Sequence, residues 1–462
     1  MDLADDGGSR FDAYVEGLVS VIGHRDRRTQ ERRTAGGGDG SGAGGGPASI
    51  AAAFYRFGRL VGRAGIGQVR EMVLPQIERH GAISAWIIDD TSFPKQGRHS
   101  VGVARQYCGQ LGKQDNCQVA VSLSLANRHA SLPVAYRLYL PQEWASDRAR
   151  RRKAGIPEEI AFKTKPEIAL DELRWACEAG LPRGVVLLDA GYGNNSELRA
   201  DITALGLTYA AGILSTTTVW APGARPLPAK TWSGRGRRPK LMRRDDKHRP
   251  VSVKALALSL PKRAWRTIEW REGAAEPLRS RFARLRIRAA HRDYWLAEPR
   301  PEEWLLIEWP KGESEPTKYW LSTLPQNIAF PDLVDAAKLR WRIERDYQEL
   351  KQEVGLGHFE GRGWRGFHHH ATLCIAAYGF LISERARIPP SASRSSRTFP
   401  KSALPSGYRP RGSAAPARTS YPKLDRHYAP APHRRPGQNA AAMSLLRRAN
   451  RKTITSQNVL TQ

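Results

Sequence analysis

Cysteine is scarce in this chain: four in 462 residues, Cys108, Cys117, Cys177 and Cys374, with no C-x-x-C and no paired spacing. That excludes a zinc ribbon or a disulfide framework and fits a reducing compartment. Long apolar runs are missing as well, and none approaches the roughly 18 residues of a membrane-spanning helix. The chain opens Met1-Asp2-Leu3-Ala4-Asp5-Asp6, acidic and without a following apolar stretch, so no signal peptide is expected and the expectation is a soluble cytoplasmic protein. Negative charge is also in deficit. Against 74 Lys+Arg stand 45 Asp+Glu, a net charge of +29, which favours a polyanionic partner, nucleic acid first. What is present is 40% hydrophobic residues, enough for a sizeable core, over a length that suits about two to four domains.

Along the chain, residues 1–24 carry a short apolar helical pattern through Tyr14, Leu18 and Ile22, and residues 25–49 turn Arg- and then Gly-rich, as a disordered linker does. Residues 50–84 read as a helical lead-in. Ala85-Trp86-Ile87-Ile88-Asp89-Asp90 is a short apolar strand ending in two carboxylates, and residues 117–126 and 132–140 continue as an antiparallel meander. A helix at 166–179 precedes a second apolar strand, Val185 to Leu188, that ends in Asp189. Its lack of alternation predicts burial on both faces. A helix at 196–204 and a strand at 207–213 complete an α/β unit, so that 85–214 reads as one α/β segment. From 215 to 325 strands dominate, around a basic loop at 233–249. Helix returns at 331–354 and at 367–386 within a segment 326–388, and the Pro-, Ser- and Arg-rich residues 389–462 read as disordered.

Three acids stand out: Asp89 and Asp189 at strand ends, and Glu344 on the 331–354 helix. Acids at the carboxyl ends of strands sit where an open site forms. On a helix, Arg340, Glu344 and Lys351 fall within about 40° of one another, so one face presents all three. Taken alone, each strand-end Asp reads equally as a loop cap, and the helix face as a solvated Arg/Glu pair. Taken together, two Asp and one Glu from three elements suffice to hold a pair of Mg²⁺ ions for phosphoryl transfer.

The strings Trp86-Ile-Ile-Asp-Asp-Thr-Ser-Phe-Pro-Lys95, His99-Ser-Val-Gly-Val-Ala-Arg-Gln-Tyr-Cys108, Leu188-Asp-Ala-Gly-Tyr-Gly193 and Arg340-Trp-Arg-Ile-Glu-Arg-Asp-Tyr-Gln-Glu-Leu-Lys351 resemble those of the IS701-type insertion-sequence transposases, within the broader IS4-like DDE class. The resemblance covers roughly residues 70 to 385. It implies an α/β fold with a ribonuclease-H-like catalytic core, begun by 85–214 and continued by 326–388, with 215–325 as a β-rich insertion before the final catalytic helix. It also implies a metal-binding triad of Asp89, Asp189 and Glu344. The family's first acid stands in an Asp-x-Thr pattern, which selects Asp89, with Asp90 as the alternative. Arg340 and Lys351 match the Arg and Lys of a Tyr-Arg-Glu-Lys signature whose Tyr is Ala337 here, and would contact DNA phosphates. Lys95 and Arg105 would line the DNA channel.

The implied reaction is metal-dependent nicking at the ends of the element, followed by strand transfer into target DNA, with two Mg²⁺ ions or Mn²⁺ in their place. The implied partners are double-stranded DNA (terminal inverted repeats and target), bound by a homodimer associated with the nucleoid. Residues 25–47 depart from the family's helical N-terminal region and have the texture of a shifted reading frame. That departure motivates a second reading, a non-catalytic DNA-binding remnant. Two further features stand outside the strings. The glycine-flanked basic loop with Arg235, Arg237 and Arg238 suits a minor groove or phosphates as well as it suits solvent. His368-His369-His370 cannot share one ion, since adjacent helical positions diverge by about 100°, and a surface or DNA-backbone role is expected.

Overall fold

The computed structural model describes residues 63–271 and 277–387. The expected helix within 1–24, the linker 25–49, the start of the lead-in and the tail 389–462 lie outside the described residues. In chain order the elements begin with α1 (Arg63–Glu78), β1 (Ala85–Pro94), β2 (Ala104–Cys108), β3 (Lys113–Ala126) and β4 (Ser131–Leu138). Two short helices, α2 (Gln142–Ser146) and α3 (Arg148–Ala154), lead to α4 (Lys165–Glu178), β5 (Val185–Leu188), α5 (Ala190–Gly193), α6 (Ser196–Ala204) and β6 (Tyr209–Ile213). Next come β7 (Thr218–Trp220), β8 (Val251–Ser252), α7 (Val253–Leu258), β9 (Arg266–Arg271), β10 (Leu278–Ala289), β11 (Glu303–Trp309) and β12 (Lys318–Ser322). Three helices close the described chain: α8 (Phe330–Lys338), α9 (Trp341–Gln352) and α10 (Trp364–Arg387).

The strands form one mixed sheet in the order β2-β3-β1-β5-β6-β12-β11-β10-β7-β8, with β4 also on β3 and β9 also on β10. At its centre β1, β5 and β6 run parallel, and antiparallel strands flank them on both sides. After β1 the chain turns to β3 on one side, and after β5 it turns to β6 on the other. The carboxyl end of β5 therefore lies beside the middle of β1 where the strand order reverses, the place at which open α/β sheets keep their sites. Strand β1 runs on to Pro94 along β3, so Asp89 stands within its strand and not at the strand end expected from the sequence. Trp86, Ile87 and Ile88 have no solvent exposure, and Val186, Leu187 and Leu188 almost none, as expected for strands covered on both faces. The four cysteines are unpaired. No helix among the described residues is long and apolar enough to cross a membrane.

The strand-rich stretch after residue 215 is continuous with the α/β unit: β12 pairs antiparallel with β6 from Tyr319↔Ile213 to Ser322↔Ala210, so its strands lengthen the same sheet. The helix expected over 331–354 is two helices. Between α8 and α9 the backbone tightens into i→i−3 bonds, Arg342 N–H to the Leu339 carbonyl and Ile343 N–H to that of Arg340. A 3₁₀ turn of this kind needs no Gly or Pro, so nothing local in the sequence marks it.

Candidate active site

Capping chemistry sets the frame. Asp189 follows the last residue of β5 and N-caps α5, its Oδ1 accepting from the Tyr192 N–H at 3.0 Å. Asn195 caps α6 directly afterwards, through the N–H groups of Glu197 and Leu198. The glycines between have distinct reasons. A Cβ on Gly193 would lie 2.1 Å from the Gly212 carbonyl oxygen on β6, so only glycine lets α5 sit so close to the sheet. A Cβ on Gly191 would lie 3.3 and 3.4 Å from the two carboxylate oxygens of Asp189, so its absence leaves that carboxylate open on one side.

Alternation along β1 separates the two adjacent aspartates. Asp89 pairs across the ladder with Ser122, whose hydroxyl lies 2.7 Å from the Tyr347 hydroxyl of α9. On this side the Asp89 Oδ2 accepts from the Arg340 guanidinium at 3.1 Å, and its Oδ1 accepts from the Asp90 N–H at 2.8 Å. Burial raises the Asp89 carboxyl from 3.8 to about 7; Arg340 pulls it down, while Asp189 and Asp90 push it further up. Asp90 turns the other way. Its Oδ2 accepts from Lys165 Nζ and from the Tyr192 hydroxyl, each at 3.1 Å. Lys165 is fixed there by a capping box at the start of α4, in which Thr164 and Glu167 satisfy each other's backbone N–H groups.

Arg340 stands at the N-cap of α9 and is the hub of the site. Burial disfavours its charge, but Asp89, Asp189 and Glu344 together outweigh burial and hold the guanidinium above its ordinary value. All three acids therefore act on one cation. They do not converge equally. Glu344 is 73% exposed and 3.8 Å from Arg340. Among the described residues, no three His, Cys, Asp or Glu side chains are close enough together to hold a metal ion.

The helix is pinned behind this face. Asp346 is buried, accepting from Ser131 at 2.6 Å and Tyr378 at 2.8 Å, and burial raises it to about 7 against the pull of those hydrogen bonds and of Arg342. Tyr347 was not among the residues singled out, yet its charge-sensitive hydroxyl lies within reach of Asp89's field. A signal for it existed: position 347 lies at about −20° from Arg340, just beside the arc of about 0° to +40° that 340, 344 and 351 span. Tyr192 and Lys165 were likewise missed, one inside a glycine pair and one beside a capping Thr.

The other residues singled out in the sequence lie in different settings. Lys351 Nζ donates to the Ser92 carbonyl at 2.8 Å and sits over the Phe93 ring, its pKa lowered by burial. Lys95 donates to the Phe359 carbonyl, across from the same end of β1. Arg105 is exposed on β2, the strand that ends the sheet order. Arg235, Arg237 and Arg238 are exposed in the loop between β7 and β8, far along the sheet from the acids.

The expected surface role of the histidine run is overturned for His368. It is buried, its Nε2 accepts from the Leu138 N–H at 3.3 Å, and its Nδ1 bonds the Trp364 carbonyl at 2.9 Å. Burial lowers it to about 4, so it is a neutral core histidine bracing α10 on β4. His370 is half-buried and bonds the Gly355 carbonyl at 3.0 Å.

Comparison with known proteins adds to this geometry. Residues 64–277 match the family model described as DDE superfamily endonuclease. A stretch of 130 residues is 33% identical to the probable transposase for insertion sequence element IS701 of Microchaete diplosiphon, covering 28% of this chain and 31% of that relative. The match thus spans about a third of the relative's length. Asp89 and Asp189 fall inside the family match and Glu344 beyond it. Both findings support the likeness carried by the strings around the acids: this chain is similar to IS701-type insertion-sequence transposases.

Proposed function

We propose that this chain is a DDE transposase that cleaves DNA at the ends of an insertion sequence and transfers the freed strand into target DNA. The observation that carries the reading is the meeting of Asp89, midway along β1, with Asp189 just past the carboxyl end of its parallel neighbour β5, with Arg340 and Glu344 of the last helices beside them. A parallel centre with antiparallel flanks and helices on both faces supports a ribonuclease-H-like core, with β7 to β12 as the insertion that extends it.

Endonucleases of the DDE superfamily generally use divalent metal ions. The donor chemistry here fits such an ion in kind. Asp89 and Asp189 offer hard carboxylate oxygens, Asp89 is buried with a charge that needs a cation beside it, and Gly191 leaves Asp189 open. Glu344 is the third oxygen donor of the set, and it faces solvent as described above. When bound, Mg²⁺ or Mn²⁺ ions, two in the full reading, would activate the attacking oxygen and steady the leaving one.

The chain's own residues supply the rest. Asp89 and Asp189 would hold the cation between the middle of β1 and the end of β5. Lys351 and Arg340 would present positive charge to the phosphates flanking the scissile bond, and Tyr347 and Asp346 fasten α9 to β3 and β4 beside β1. Lys95 and Arg105 extend the positive surface along the edge of β1 and β2, and Arg235, Arg237 and Arg238 would track phosphates farther out. Terminal inverted repeats and target DNA are the substrates of this reading, a homodimer on DNA its assembly, and the cytoplasm with its nucleoid its place.

The test is strand nicking of a terminal-repeat duplex by the purified chain with Mg²⁺ or Mn²⁺, beside Glu344→Gln. Metal-dependent nicking that disappears in the variant is the expected result. Duplex binding with no nicking under any metal would instead favour the DNA-binding remnant.

A further inference from the structure

The guanidinium of Arg340 occupies the position of a cation in the carboxylate site. Its side chain is only 21% exposed, it lies 3.1 Å from Asp89 and 3.8 Å from Glu344, and the field of Asp189 also falls on it. Among the described residues, Asp89 makes its one ion pair with Arg340, and Asp189 makes none. A guanidinium held there competes with any divalent ion for the same oxygens, because both answer the same negative charge.

Losing the Asp89 contact would not unseat the helix. Arg340 stands at the joint between α8 and α9, and Tyr347–Ser122 and Asp346–Ser131 hold α9 in place without it. Arginine pairs with phosphate at least as readily as with carboxylate, in a two-pronged geometry that a lone carboxylate oxygen at 3.1 Å does not satisfy. A DNA phosphate beside the site offers the guanidinium a better partner than Asp89.

We propose that Arg340 is an exchangeable counter-ion: in the free protein it neutralises Asp89, and DNA draws it onto a phosphate and so opens the carboxylates to a divalent ion. The inference rests on the transposase reading above and adds a coupling to it, that DNA and metal strengthen each other's binding through one side chain. Linkage makes this reciprocal: the factor by which DNA tightens metal binding is the factor by which metal tightens DNA binding. The protein would then be armed by DNA and inert without it.

The experiment is Mn²⁺ binding to the full chain, followed by electron paramagnetic resonance of the free ion, with Asp89→Asn as the reference for site-specific binding. Without DNA, Arg340→Gln is expected to bind Mn²⁺ at least tenfold tighter than the parent in the Asp89-dependent part, since the competing cation is gone. Adding duplex DNA should tighten the parent by a similar factor and Arg340→Gln by much less. Asp89-dependent binding that is equal in parent and Arg340→Gln, or weaker in the variant, overturns the exchange while leaving the metal site intact. No Asp89-dependent binding in any sample, with or without DNA, overturns the exchange and the metal reading together. Should Arg340→Gln not fold, the parent with and without DNA decides alone: no gain on adding DNA sinks the coupling.

Discussion

Asp89 and Asp90 are neighbours in the chain, and the two faces of the sheet treat them in opposite ways. Asp89 faces α9, shares its surroundings with Arg340, Tyr347 and Asp189, and is pushed up to about 7 by burial. Asp90 faces α4 and α5, where Lys165 and the Tyr192 hydroxyl satisfy one oxygen in a fixed arrangement. Asp89 is paired with a cation from the joint of two helices and has a second carboxylate, Asp189, in its field, whereas Asp90 is paired with side chains of α4 and α5. A buried carboxylate whose field is shared with a second acid is the kind of group that marks a functional site.

The comparison breaks most readily at activity. Asp89→Asn should lower metal-dependent nicking by on the order of 10³-fold or more, while Asp90→Asn stays within roughly tenfold of the parent. Equal losses in single-turnover nicking would erase the distinction between the faces.

The next effect is on stability against pH. Because burial raises Asp89 to about 7, the folded state keeps a proton that the unfolded chain releases near 3.8. The stability from this group is full below 3.8 and is lost as pH rises through about 7. Asp346, also raised to about 7, adds a slope of the same sign. Asp89→Asn removes its share, so in chelator at about pH 8 the variant should be more stable than the parent by on the order of 2–4 kcal/mol, and the gap should close at about pH 3.5. Thermal melts across that range check it, and a variant melting no higher at the alkaline end would contradict the assignment.

Gly193→Ala comes third, at about 2–3 kcal/mol, since its Cβ meets the Gly212 carbonyl. Gly191→Ala, with only the Asp189 oxygens nearby, should cost within about 1 kcal/mol. Urea unfolding of the pair separates backbone collision from crowding of the acid. Smallest is Tyr192→Phe, which removes one hydrogen bond to Asp90 and should cost roughly 1 kcal/mol without moving the nicking rate more than a few-fold.

How much of this was legible depended on the range of the interaction. Asp89 and Asp189 could be read because each ends an unbroken apolar run, and a buried strand announces itself locally. Helical spacing put Arg340, Glu344 and Lys351 on one face; in the structure Arg340 and Lys351 both reach β1, at Asp89 and Ser92, while Glu344 stays 73% exposed. The pairing of Arg340 with Asp89 was not legible: 251 positions separate them, and a cation on a polar face reads as solvated until a strand is placed beneath it. His368 failed for the same reason, since its partner is a backbone N–H on β4. The union of β12 with β6 also escaped, because register between distant strands is set by the assembled sheet and leaves no mark in either segment.

That union has a cost in time. Until β12 has been synthesised, more than a hundred residues after its partner, β6 presents a bare, fully buried-type edge of Tyr209 to Ile213 to whatever is near. At the pace of a ribosome that is an exposure of roughly five to twenty seconds, long enough for other nascent strands to add themselves there. A chain cut short inside the strand-rich stretch would therefore leave that edge uncovered and yield an aggregating fragment.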